Sequence, residues 1–173
     1  MAIEHQPPDT LSLDPSERLY FLAGLIQGAP DWQAEAFNAL DDIAPKRTIH
    51  VANPRREYIG IRFDYDKQVE WEERNLLRAS RNGGILFWLA AQDPDLPYEV
   101  GRAYGQTTRF EFGEAIGWMR YDPAINIALG IEVGYVGNER YYRKKAASFN
   151  INVNTTLERT VDALMKVPIR NTI

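Results

Sequence analysis

The stretch Ile85-Leu86-Phe87-Trp88-Leu89-Ala90 is apolar without interruption. A strand with one wet face alternates apolar and polar residues, whereas a strand covered on both faces reads as a continuous apolar run. Strands of the second kind belong to parallel sheets that have helices on both sides. The stretch therefore predicts a central strand of a parallel sheet.

Shorter apolar runs and helical patterns alternate on both sides of this strand. We predict further strands at residues 19–23, 48–51, 125–131 and 149–153, and helices at 31–40, 66–81, 108–119 and from 155 onward. Such alternation is typical of strand–helix–strand units in one sheet. The expected fold is α/β, a doubly wound parallel sheet of five strands in a three-layer α/β/α domain.

The composition fits one domain of ordinary type. The 173 residues are 45% hydrophobic and 25% charged, enough for a substantial core. We expect residues 1–17 to form a flexible N-terminal leader and residues 18–173 to form a single domain. No apolar run approaches the roughly 18 residues of a membrane helix, and the first residues lack the pattern of a signal peptide. We expect a cytoplasmic location and no membrane contact.

Charge and residue types narrow the chemistry. A net charge of −4 argues against a nucleic-acid polymer as partner, but leaves small nucleosides and nucleotides open. The chain has no cysteine, so disulfides and thiol chemistry are excluded. His5 lies in the expected leader, so only His50 remains for a metal site or a catalytic triad. Neither is expected.

Doubly wound sheets bind ligands outside the carboxyl ends of their strands. The segments that follow the predicted strands should therefore surround one crevice. They comprise residues 24–31, 53–65, 92–111 and 132–142.

Glu111 is the most interesting residue near this crevice. It follows the central strand and lies in the first turn of the predicted helix 108–119. A helix N-terminus favours negative charge, so Glu111 should stay ionised, as a carboxylate nucleophile must. The structural alternative is a capping box, because Thr108 and Glu111 have the required spacing.

Two turns of the predicted crevice offer ligand contacts. Gly24 and Gln27 lie in a small-residue turn, which either lets the backbone approach a ligand or simply joins a strand to a helix. Asn53 precedes Arg55 and Arg56, whose guanidinium groups suit a phosphate or carboxylate. The alternative for this second turn is a solvated basic segment.

The predicted helix 66–81 carries an aromatic residue beside a carboxylate. Glu72 is placed to present a second carboxylate to the crevice, and Trp71 to stack on a flat ring. The alternative is a charged surface helix with one tryptophan in the core.

The order and spacing of five motifs resemble those of the nucleoside 2-deoxyribosyltransferase-like family. The clearest motif is Thr108-Arg109-Phe110-Glu111-Phe112-Gly113, and the others lie at residues 19–24, 53–56, 69–72 and 85–88. The similarity extends from about residue 20 to about residue 164. It implies a flavodoxin-like sheet, a small-molecule nucleoside or nucleotide and a free nucleobase as substrates, and no metal or organic cofactor.

The resemblance also implies a reaction. A glutamate at the position of Glu111 attacks C1′ of a 2′-deoxynucleoside, a covalent glutamyl-deoxyribosyl intermediate forms, and a second base accepts the sugar. Tyr20 corresponds to a tyrosine beside that nucleophile. Glu72 matches best the carboxylate that handles the nucleobase and its proton, with Glu73 second. Family members often complete the site with a neighbouring subunit, so a homo-oligomer, a dimer or larger, is expected.

Further residues are candidates for substrate binding. They are Gly24, Gln27, Asn53, Arg55, Arg56, Trp71 and Arg109.

The sequence departs from the family pattern in two places. Residues 80–84 are rich in glycine and lack an acidic residue usual there. Residues 93–104 look extended, and they offer no aspartate close to Glu111, where classical transferases have one. Two alternatives therefore stand beside the transferase. One is an N-glycosidase that hydrolyses nucleosides or nucleoside 5′-monophosphates, and the other is a catalytically silent nucleotide-binding module.

Overall fold

The structure is a computed structural model that describes residues 1–14, 16–44, 48–56, 64–98, 101 and 103–166. Strands and helices alternate through most of this length. In chain order they are β1 (Ala2–His5), β2 (Arg18–Gly24), α1 (Trp32–Ile43), β3 (Ile49–Ala52), α2 (Tyr65–Arg81), β4 (Gly83–Leu89), α3 (Gln106–Trp118), β5 (Ile127–Ile131), α4 (Glu139–Ser148), β6 (Val153–Asn154) and α5 (Leu157–Lys166).

The strands form one parallel sheet in the order β1-β3-β2-β4-β5-β6. Without β1, this is the flavodoxin-like order, in which the chain adds one strand on one side of β2 and the remaining strands on the other. The predicted doubly wound α/β/α fold is confirmed. The sequence predicts five strands, whereas the sheet has six within the described residues.

The additional strand lies in the segment predicted to be a leader. β1 pairs with β3 over its whole length, from Ala2 opposite Ile49 to His5 opposite Ala52. The side chain of Asn53 reinforces this edge, because its Nδ2 donates to Glu4 Oε1 at 2.8 Å. The expectation of a flexible leader is therefore wrong for residues 2–5.

The central strands are buried on both faces, as the continuous apolar stretch predicts. On one face, Phe21 of β2 contacts Trp71 of α2, and Phe87 of β4 contacts Phe112 of α3. On the other face, a Cβ added at Gly84 of β4 would meet α5. Helices α2, α3 and α4 thus cover one side of the sheet, and α1 and α5 cover the other.

Two elements near the C-terminus differ from the prediction. The predicted strand 149–153 shrinks to β6, which begins only at Val153. Residues 139–148, left without an assigned element by the sequence patterns, form α4. Only Tyr142 and Ala146 of α4 are buried, and an apolar stripe of two residues is too narrow to give a helical period.

None of the described helices has the length and the apolar composition that crossing a membrane would require.

The contact of β1 with β3 should weaken in acid. His5 Nε2 and His50 Nδ1 lie 2.9 Å apart with stacked rings, and His50 Nε2 approaches Glu17 Oε1 at 3.4 Å. One imidazole nitrogen must donate and the other must accept, so protonation of both rings breaks the bond. Burial, and then the neighbouring His50, lower the pKa of His5 below its usual 6.5.

Because the unfolded chain protonates His5 at a higher pH than the folded protein does, the free energy of unfolding should fall as the pH drops below 6.5. We expect His5→Asn to reduce this loss by a few tenths of a kcal/mol, since solvent screens the partly exposed His5. Urea unfolding at about pH 7.5 and about pH 5.5 measures it. Equal acid sensitivity of both proteins would contradict this account of the edge.

Candidate active site

A cavity opens at the carboxyl ends of β2 and β4. The strand order reverses there, since β3 lies on one side of β2 and β4 on the other, and doubly wound folds bind ligands at such a point. The cavity has a volume of about 460 Å³, within the range of small-molecule sites. Its walls come from the loop after β2, the residues after β3, one face of α2, the loop before α3 and the first turn of α3.

One face of α2 brings a carboxylate into this cavity. The lining residues recur at i, i+3, i+4 and i+7, the spacing of one helix face: Tyr65, Gln68, Val69 and Glu72. Gln68 donates a hydrogen bond from Nε2 to Glu72 Oε1 at 2.6 Å. Glu73 is exposed and is not part of this face. Of the two sequence candidates, Glu72 is therefore the one at the cavity.

Glu111 lies one helical turn below the cavity wall. Thr107 and Thr108, four and three residues before it on α3, line the cavity, and Glu111 itself is partly buried behind them. The helix begins at Gln106, after Gly105 with φ +68°. Glu111 is thus in the second turn, and the predicted capping box with Thr108 does not form, because α3 has no side-chain cap.

The ionisation predicted for Glu111 is also wrong. Burial, the negative charge of Glu72 and that of Glu114 raise its pKa to about 8. In the second turn, Glu111 is too far from the helix end for the dipole to offset this burial. The carboxyl group is therefore mostly protonated at neutral pH.

Glu72 and Glu111 act on each other as an electrostatic pair. The negative charge of Glu72 contributes to the raised pKa of Glu111, although the two residues come from different helices. Like charges in a partly buried site oppose each other's ionisation. The raised pKa of Glu111 thus keeps a proton in the site near neutral pH.

Tyr20 is not beside Glu111. Successive strand residues point to opposite faces of a sheet, and its neighbour Phe21 faces α2. Tyr20 also pairs with Gly84, which faces α5. It therefore lies on the face opposite α3, and the family role that the resemblance assigns to Tyr20 does not fit its position.

A different tyrosine lies near Glu111. Tyr142 of α4 is 2% exposed and packs against Phe112, with the ring centroids 5.1 Å apart. Burial chiefly raises the pKa of its hydroxyl, and Tyr135, Arg109 and Glu111 are among the charges that act on it. Arg109 donates from Nη2 to the carbonyl of Tyr104 at 3.1 Å and is not part of the cavity lining among the described residues.

The turn after β2 borders the cavity through Gly24 and Gln27. Gly24 is required for packing, because a Cβ there would collide with the Trp88 carbonyl and the Trp32 ring. Its small size therefore has a structural cause, while Gln27 is exposed and free to approach a ligand.

Arg55 holds this turn in place. Its Nε donates to Gln33 Oε1 at 2.8 Å, and its Nη2 donates to the carbonyls of Ile26, Ala29 and Pro30 at 2.9 to 3.2 Å. The Arg55 guanidinium is thus committed to backbone carbonyls, and the role predicted for it with a phosphate is not supported.

Asn53 is likewise structural. Its Oδ1 accepts a hydrogen bond from the backbone N–H of Arg55 at 2.9 Å, and its Nδ2 binds Glu4.

Arg56 lines the cavity and also a neighbouring one of about 850 Å³. The two cavities share Ile26, Gln27, Arg56 and Tyr98. They adjoin along this border, so a ligand longer than a nucleoside has room to extend past Arg56.

Trp71 is a core residue. It is 1% exposed, contacts Phe21, and donates from Nε1 to the carbonyl of Asp9 at 2.8 Å. It faces away from the cavity, so the predicted stacking on a ligand ring is wrong. Tyr65 and Tyr98 are the aromatic residues that line the cavity within the described part of the chain.

The sequence patterns missed Gln68, Tyr98 and Tyr142. Gln68 carries a detectable signal, because it precedes Glu72 by four residues and so shares its helix face. Tyr98 and Tyr142 reach the site from a loop and from α4, and no local spacing relates them to Glu72 or Glu111.

Neither protein-family models nor curated proteins match the chain. Among the described residues, no three histidine, aspartate or glutamate side chains converge in a way that suits a metal ion.

The role of Arg55 can be tested with Arg55→Lys. Lysine keeps the positive charge but lacks the planar fork that reaches several acceptors at once. We expect the free energy of unfolding to fall by about 1–3 kcal/mol, because carbonyls of the turn lose their donor. Urea denaturation measures this, with the exposed Arg81→Lys as control. A variant as stable as the wild type would remove the turn-holding role.

Proposed function

We propose that the chain cleaves the N-glycosidic bond of a 2′-deoxynucleoside and transfers the sugar to another nucleobase. One observation carries the proposal: two electrostatically coupled carboxyl groups from neighbouring helices adjoin a cavity of nucleoside size at the switch point of the sheet. The motif resemblance and the aromatic cavity wall support it.

The proton held by the pair fits this chemistry. A departing nucleobase needs a proton, and the positively charged sugar centre that it leaves needs a nearby carboxylate. As the C1′–N bond breaks, the base nitrogen takes the bonding electrons, Glu72 passes the proton of Glu111 on to that nitrogen, and the Glu111 carboxylate so formed bonds to C1′. A second base then attacks C1′, its proton returns through Glu72 to Glu111, and the bond between Glu111 and C1′ breaks.

A hydrolytic reaction on nucleoside 5′-monophosphates is the second candidate. It is favoured by Arg56, which borders both cavities and has the fork geometry that binds phosphate. In that reaction water replaces the acceptor base. The products are then the free base and the sugar phosphate.

The two carboxyl groups can be tested by base exchange between a 2′-deoxynucleoside and a different free base. We expect Glu111→Gln to lower kcat/KM at least about 10³-fold, because the nucleophile is lost, and Glu72→Gln about 10²-fold, because proton transfer is lost. Chromatography of the products measures both. The exposed neighbour of Glu72 provides a matched control, Glu73→Gln on α2, which should keep the activity.

Exchange that survives Glu111→Gln would remove the proposed nucleophile. The same assay without an acceptor base separates transfer from hydrolysis, since equal release of free sugar in both conditions favours the hydrolase. A nucleoside 5′-monophosphate that reacts faster than its nucleoside, with the advantage lost in Arg56→Ala, would favour the second candidate.

The pH dependence follows from the shared proton. The account requires the pair to hold one proton, so kcat/KM should fall as the pH rises past about 8, where Glu111 ionises. Glu114→Gln removes a negative charge that raises the pKa of Glu111, so the fall of kcat/KM at alkaline pH, the alkaline limb of the pH profile, should move to lower pH. Glu73→Gln should leave the limb in place. Rate measurements across the alkaline range test this, and a limb that is unchanged in Glu114→Gln would contradict it.

A further inference from the structure

The amide of Gln68 ties Glu72 to the backbone of the loop after β3. Its Nε2 donates to Glu72 Oε1 at 2.6 Å and to the carbonyl of Pro54 at 3.1 Å. Both partners are acceptors, so a flip of the amide would place Oε1 against Pro54 O and break both bonds. The donor side of Gln68 therefore faces Glu72.

This orientation leaves one polar atom of Gln68 unpaired. The side chain is 9% exposed, and its Oε1 is buried with no hydrogen-bond partner among the described residues. A buried acceptor without a partner costs about 1–3 kcal/mol. The two donated hydrogen bonds thus hold the amide in an orientation that leaves this acceptor buried without a partner among the described residues.

We infer that Gln68 is a positioning residue, which fixes the Glu72 carboxylate and keeps the negative charge of the pair on Glu72, so that the proton stays on Glu111. The inference rests on the proposed function. An amide N–H stabilises the ionised form of the carboxylate it binds. The other charged or titratable side chains around this cavity, among the described residues, are Arg56, Tyr65 and Tyr98, with Glu111 behind the α3 wall.

The test replaces Gln68 with methionine, which has the same shape and no donor. We expect Gln68→Met to change the urea midpoint little, because removal of the unpaired acceptor offsets the loss of the two donated hydrogen bonds. We also expect kcat for base exchange to fall about 10–100-fold with KM nearly unchanged, since positioning acts on the reaction step. Gln68→Glu should recover activity only at low pH, where its carboxyl can donate.

A matched control is Gln33→Met. Gln33 is also a buried glutamine with an unpaired side-chain atom, and it binds Arg55 outside the cavity lining. We expect Gln33→Met to keep the pH profile of the wild type.

Carbon-13 NMR of labelled glutamate side chains gives a readout that does not depend on turnover. In Gln68→Met the Glu72 signal should titrate at higher pH than in the wild type, because a donor to its ionised form is lost. If the wild type shows no exchange activity, this titration still decides the inference. An unchanged titration, or a variant that loses stability and activity together with an unchanged pH profile, would overturn it.

Discussion

The burial of the Glu111 carboxyl group, with the negative charge of Glu72 acting on it, is the constraint on which the site depends. Each residue adjoins an aromatic anchor in its own helix, since Trp71 packs on Phe21 and Phe112 packs on Phe87. Closely packed anchors of this kind cannot move apart without loss of apolar contact. The two helices that carry the carboxyl groups are therefore held in place, and Glu111 keeps a proton because burial first and the charge of Glu72 second disfavour its ionised form.

The fold explains why this pair adjoins a cavity. In a doubly wound sheet, the helices after neighbouring strands diverge where the strand order reverses, and a crevice remains between them. Here that point lies at β2, which has β3 on one side and β4 on the other. Burial of the apolar strands supplies the free energy that offsets the cost of placing two carboxyl groups in a partly buried site. Polar ligand contacts then come from loops and helix faces, which tolerate such residues.

The sequence predicts those parts of the molecule that depend on local pattern. The stretch 85–90 marks the central strand because it is apolar throughout, and Glu111 comes close to the crevice because it follows that strand. The edge strand β1 could not be predicted in this way, because its four residues form a strand only through pairing with β3. The roles predicted for Tyr20 and Trp71 are wrong for a related reason. When a strand or helix is buried on more than one side, its sequence does not show which neighbouring element each side chain contacts. The pKa of Glu111 could not be predicted either, because it depends on burial that only the tertiary structure creates.

The most direct test of the account is the protonation state of the pair in the resting protein. Infrared difference spectroscopy between the wild type and Glu111→Gln detects a protonated carboxyl group by its C=O stretch. The account predicts such a band at neutral pH in the wild type, its loss as the pH rises past about 8, and its absence from the variant. A wild type in which every carboxyl group is already ionised at neutral pH would contradict the shared proton, and with it the proposed mechanism.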